Sequence, residues 1–99
     1  MSTSGPLQDG NFFLDHEAWH YVRIKLALTP RQASIVGLIL CGYGDQAIAD
    51  KLRCGVPTIR SHLTRVFRRL DVPDRIGVIL RVFKECQVFW KEQGGSHPQ

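Results

Sequence analysis

The segment GVPTIRSHLTRVFRRL, residues 55–70, sets apolar side chains at helical spacing among bases and hydroxyls. At about 100° per residue, Ile59, Leu63, Val66, Phe67 and Leu70 fall within one arc of roughly 100°, the width of a core-facing stripe. Pro57, Ser61, Thr64, Arg65 and Arg68 lie opposite its centre, and Arg60 lies beside that opposite face. From Lys51 to Leu70 there are six bases (Lys51, Arg53, Arg60, Arg65, Arg68 and Arg69) and no Asp or Glu. An ordinary surface helix mixes both signs. A face of small hydroxyls and arginines can instead enter a groove, where arginine pairs bidentately with guanine or phosphate.

The flanking sequence gives this helix its neighbours. Residues 44–52, GDQAIADKL, predict a short helix entered through Gly44 and Asp45, and RCGV is a tight connection. Ala49 is small and lies ten residues before Ile59, where two steeply crossing helices need close approach. This is helix-turn-helix spacing, in which the second helix reads the major groove. Upstream, LTPRQASIVGLILCG (residues 28–42) holds a capping box, with Thr29 as N-cap, Pro30 in the first helical position and Gln32 three residues after the cap. Gly42 supplies a stop. Asp71, Val72 and Pro73 end the basic helix, and Asp74 caps a last one from Arg75 to about Lys91. At the front, Asp15 caps a helix carrying Trp19, Val22 and Leu26 at helical spacing. The reading is five helices, the first set apart from the other four.

Totals bound the rest. A chain of 99 residues, 43% hydrophobic, makes one domain with a modest core. No apolar run approaches the roughly 20 residues of a membrane helix, and the N-terminus lacks the pattern of a secretory signal. Cys41, Cys54 and Cys86 cannot all pair within one chain and none sits in a CxxC spacing, so they read as reduced thiols in a cytoplasmic protein. Net charge is +4 and pI about 9.3, which favours an anionic partner. No nucleophile with its base, paired carboxylates or phosphate loop is evident, which argues against an enzyme, and no cofactor is expected. His16 and His20 stand four apart without a third ligand nearby, so no metal site is expected. His62 borders the apolar stripe and is left out of the contact set. Cys54, in the turn beside the basic face, is the one thiol worth testing for oxidation.

LTPRQASIV, CGYGDQAIADKL and TIRSHLTRVFRRLDVPDR together resemble the LuxR/GerE-type DNA-binding domain. The likeness runs from residue 28 to about 84 through Leu28, Thr29, Arg31, Gly42, Ile48, Ala49, Leu52, Thr58, His62, Leu70, Val72 and Arg75. Gln32, Gly55 and Asp71 depart from the usual Glu, Ser and Gly. The resemblance implies an all-α fold: a LuxR-type four-helix helix-turn-helix domain, here with an extra N-terminal helix. The expected division is a flexible tail at 1–11, an accessory helix at 12–27, the helix-turn-helix domain at 28–92 and a flexible tail at 93–99. By the same resemblance, Arg60, Ser61 and Thr64 contact bases in double-stranded DNA, while Thr58, Arg65, Arg68 and Lys51 contact phosphates. The implied role is transcription regulation. The chain has no room for a receiver or ligand domain, and the Met1 start favours a single-domain regulator over a fragment. The rival is a protein-interaction module of the same fold that binds RNA polymerase or another regulator.

The last helix carries two apolar stripes. Ile76, Ile79, Leu80, Phe83 and Trp90 are expected to close the core. Val78, Val82 and Phe89 form a second stripe, about 120° away on the wheel, with Cys86 between the two. A homodimer interface is the favoured cover for this second stripe, as the family resemblance implies. The competing cover is the N-terminal helix through Trp19 and Val22.

Overall fold

Side-chain caps set three of the five helix starts in the computed structural model, which describes residues 14–93. The helices are α1 (His16–Lys25), α2 (Pro30–Leu40), α3 (Asp45–Leu52), α4 (Val56–Leu70) and α5 (Arg75–Glu92). The tails expected at 1–11 and 93–99 lie outside the described residues, apart from Gln93. The Asp15 carboxylate accepts from the Ala18 N–H at 2.7 Å, and that of Asp74 accepts from the Gly77 N–H at 3.0 Å. Thr29 and Gln32 close the expected capping box with two bonds of 3.1 Å. Helices α3 and α4 start at Gly44 and Gly55 without a side-chain cap.

All four connections stop a helix in the same way. Ala27, Gly42, Arg53 and Asp71 adopt positive φ, at 54°, 93°, 59° and 57°. The next residue in each case donates back five positions: Leu28 to Arg23, Tyr43 to Leu38, Cys54 to Ala49 and Val72 to Phe67, at 3.0–3.1 Å. These bonds satisfy carbonyls the helix ends leave open. Three of the four turning residues carry a Cβ there, at a cost of about 1 kcal/mol each.

The core has two clusters bridged by α4. Ile59 and Leu63 pack with Ile35, Leu38, Ile39, Ile48 and Ala49. Val66 and Leu70 pack with Ala33, Val36, Val78, Val82 and Cys86, and with Trp19, Val22 and Leu26 of the N-terminal segment. Phe67 touches both clusters. Ala49, 1% exposed, lies between α3 and α4, where a larger side chain would hold them apart.

The structure reverses the two stripes of α5. Val78, Val82 and Cys86 are fully buried, facing α1 and the core of their own chain. Phe89 is half-buried, its ring 5.2 Å from that of Tyr21 on α1. The expected dimer residues Val78 and Val82 are therefore core residues, and Phe89 belongs to the α1–α5 contact. Of the stripe expected to close the core, Ile76 and Leu80 are 64% and 62% exposed and Phe83 is 39% exposed. Ile79 and Trp90 are half-buried against the core. The reason is steric. Small side chains at 78, 82 and 86 let α1 approach α5 closely enough to seat Trp19, whereas the larger stripe would hold the helices apart. Helix α1 is thus part of the core rather than set apart from it.

Val82→Glu is expected to unfold the protein or to cost at least about 4 kcal/mol in a urea melt, because it buries an unpaired charge. A folded, stable variant would return Val82 to the surface. Gly77→Ala tests the start of α5. A Cβ there would stand 2.7 Å from the Val72 Cβ and 3.3 Å from the Pro73 Cδ. Helix propensity alone favours Ala by about 1 kcal/mol, but overpacking costs about 1–3 kcal/mol. The expected net is a loss, read as a lower Tm.

Candidate nucleic-acid interface

Packing the apolar stripe of α4 turns its other side outward. Pro57, Thr58, Arg60, Ser61, Thr64, Arg65, Arg68 and Arg69 are all exposed. Helix α3 supports α4 through Ile48 and Ala49 against Ile59 and Leu63, so the exposed side stands on a buried base. Arg81 of α5 holds the far end, donating to the Leu70 carbonyl at 2.9 Å while lying 3.6 Å from the Glu85 carboxylate.

The candidate base-contact residues differ in what they can offer. Thr64 donates its hydroxyl proton to the Arg60 carbonyl at 3.0 Å, which leaves its oxygen as an acceptor and its methyl as an apolar contact. The Ser61 side chain is exposed. Arg60 is 70% exposed, yet its Nε donates to the Asp45 carboxylate at 3.3 Å. Asp45 also accepts from Arg75, the first residue of α5. The same guanidinium donates to the Tyr43 carbonyl at 3.2 Å. Burial pushes the Asp45 carboxyl pKa up. Hydrogen bonds from Arg75 and Arg60, with their charges, outweigh this and hold it below the ordinary value. Asp45 is therefore ionised at neutral pH.

The candidate phosphate contacts fall into two groups. Lys51 stands on α3 with its Nζ 4.8 Å from the centre of the Tyr43 ring, a cation–π contact beside the loop that Arg75 holds. Arg65 and Arg68 lie at the other end, lining a shallow cleft with Arg69 and Gln32 at the start of α2. Thr58 lies in the first turn of α4.

Asp45, Tyr43 and Arg75 were missed as site residues because their roles depend on contacts 15 to 32 residues apart in sequence. Arg69 had a local signal, standing four residues after Arg65 on the same side of the helix. His16 and His20 line a cleft between α1 and α5, and no group of three ligating side chains gathers among the described residues. Burial, with Asp15 and Glu85 nearby, pushes the Cys86 thiol up to about 11, so it stays protonated at neutral pH.

The sequence pattern of bacterial regulatory proteins of the luxR family (GerE) matches residues 26–82. The chain belongs to the LuxR family. That family comprises DNA-binding transcription regulators rather than enzymes, and the all-helical fold agrees with it. The response regulator protein VraR of Staphylococcus aureus (strain Mu3 / ATCC 700698) is 32% identical over 57 residues, covering 58% of this chain and 27% of VraR. The VraR proteins of Staphylococcus saprophyticus and Staphylococcus epidermidis match to the same extent. This LuxR-family chain thus aligns with about a quarter of the length of these curated relatives. No solved structure matches it. Among the described residues no helix is long and apolar enough to cross a membrane.

Proposed function

We propose that the chain binds double-stranded DNA in a sequence-specific manner, with α4 in the major groove, and regulates transcription in the cytoplasm. The observation that carries this reading is the outer side of α4. Eight consecutive outward positions from Pro57 to Arg69 are exposed, four of them arginines, on a helix with no acid. Arg60, Ser61 and Thr64 face base edges. Thr58, Arg65, Arg68 and Lys51 take phosphates, with Arg69 beside them.

The protein acts as a homodimer in this reading, through the side of α5 that the core leaves open. Ile76 and Leu80 are one helical turn apart and about two-thirds exposed, with Phe83 in line beyond them. Pairing two copies of one stripe suits a two-fold axis and presents two α4 helices to half-sites about one DNA turn apart.

Binding is expected to weaken steeply with salt. About four to six phosphate contacts per protomer give a fall in log K of about 0.9 per contact for each unit of log salt. Arg60→Ala is expected to cost about 1–3 kcal/mol and relax preference at one base position. Arg65→Ala is expected to weaken all sequences alike and to reduce the salt slope by about one. A flat salt response on random duplex sinks the DNA reading and favours use of the fold as a protein-interaction module, for RNA polymerase or another regulator. The dimer is tested separately with Leu80→Glu. That variant is expected to fold, to sediment as a monomer and to bind a paired site no better than a single half-site. Wild type that stays monomeric at high concentration, on and off DNA, rules the dimer out.

A further inference from the structure

Arg60 does not stand on α4 as an unguided charge. A long exposed arginine samples many rotamers, and fixing one of them on a base costs entropy. Here the side chain is tied at Nε by the Asp45 carboxylate, 3.3 Å away, while 70% of its surface stays open to solvent. Asp45 is itself held. One oxygen accepts from Arg60 and the other from Arg75, whose second terminal nitrogen is fixed on the Tyr43 carbonyl. The order of support runs from backbone to Arg75, to Asp45, to Arg60.

The atom used in this contact matters. Guanine is read by two coplanar donors of one guanidinium, directed at its O6 and N7. A carboxylate on Nε leaves the two terminal nitrogens to form that pair. It also sets a negative charge beside the guanidinium, which disfavours its swinging onto a neighbouring phosphate. Among the described residues, Ser61 and Thr64 have no comparable tie to another helix.

We infer that Asp45 is a positioning residue for base recognition: it presents the terminal fork of Arg60 to a guanine and so sets the preference of the protein at one position of its site. This rests on the DNA reading above and adds to it a residue outside α4 and a specified base.

The test is selection from random duplex DNA by the full chain, followed by affinity measurements on the selected site and on versions altered at each position. Wild type is expected to prefer guanine at one position that Arg60→Ala flattens. Asp45→Ala is expected to flatten the same position, by about tenfold in discrimination, with the salt slope and the other positions unchanged. The double variant should discriminate no worse than either single one, because both remove one interaction. Arg60→Lys should lose the guanine preference too, since lysine keeps the charge without the fork. Asp45 also joins α3 to α5, so Asp45→Asn is measured alongside with a thermal melt. It retains an acceptor for Arg75 while weakening the charged tie to Arg60, and is expected to melt close to wild type with reduced discrimination.

Three results overturn the inference. Unchanged discrimination in both Asp45 variants shows that Arg60 needs no guide. An equal loss at every position, with a lowered melt, shows a structural role alone. A rise in affinity for all sequences shows that Asp45 holds Arg60 away from DNA. If wild type selects no site and binds without salt dependence, the DNA reading itself has failed and this inference falls with it.

Discussion

Everything on the outer side of α4 depends on the burial of its inner side. Ile59, Leu63, Val66 and Leu70 are each at most 4% exposed and extend through both core clusters. A helix held along four successive turns cannot rotate without withdrawing apolar surface from the core, at about 25 cal/mol for each Å² returned to water. That constraint fixes the phase of α4, and the phase determines which side chains point outward. The arginines and hydroxyls contribute little to the fold and are directed by it. The missing acids on α4 follow the same logic, since an acid at an outward position such as 61 or 64 would offset the charge that the core holds outward.

The sequence made α4 legible because its two sides differ in kind. A helix with one apolar arc has a single sensible orientation, and Thr29, Gln32, Asp15 and Asp74 announced their helix starts with side chains whose bonds are local. Helix α5 has two apolar arcs, and a wheel gives no reason to choose between them beyond side-chain size. The expectation that the larger stripe closes the core did not hold. Ile76, Leu80 and Phe83 make the larger stripe, but the core took Val78, Val82 and Cys86 because Trp19 needed α1 close to α5. What a helix buries depends on the shape of its neighbour, and a single helix's periodicity does not contain that. The support of Arg60 was hidden for a related reason. Asp45, Tyr43 and Arg75 come from three separate elements, so no spacing rule connects them.

Charge does two separate jobs in this molecule. Arg75 and Arg81 are partly buried and work inward, tying α5 to the Tyr43 loop and to the end of α4. Arg65, Arg68 and Arg69 are exposed, and among the described residues no ion pair involves them. An inward arginine with a well-placed acceptor stabilises the fold, while clustered exposed ones repel each other and favour an anion that screens them. Arg60 falls between these classes: its Nε contacts an acid whose position the inward network sets, and its terminal nitrogens remain with the solvent-facing group.

The family match covers residues 26–82, and the described parts of the chain outside it pack on each other. Helix α1 ends at Lys25, before the match begins, and the last ten residues of α5 follow its end. Trp19 and Val22 from the first piece share a cluster with Cys86 from the second, and the Tyr21 and Phe89 rings meet above it. The two pieces also cover Val78 and Val82, which lie inside the match. The end of α5 without α1 would expose its small apolar side, while α1 also shares its cluster with Ala33, Val36, Val66 and Leu70 inside the match. Together they extend the core on the side of α5 facing α1, while Ile76, Leu80 and the outer side of α4 remain exposed.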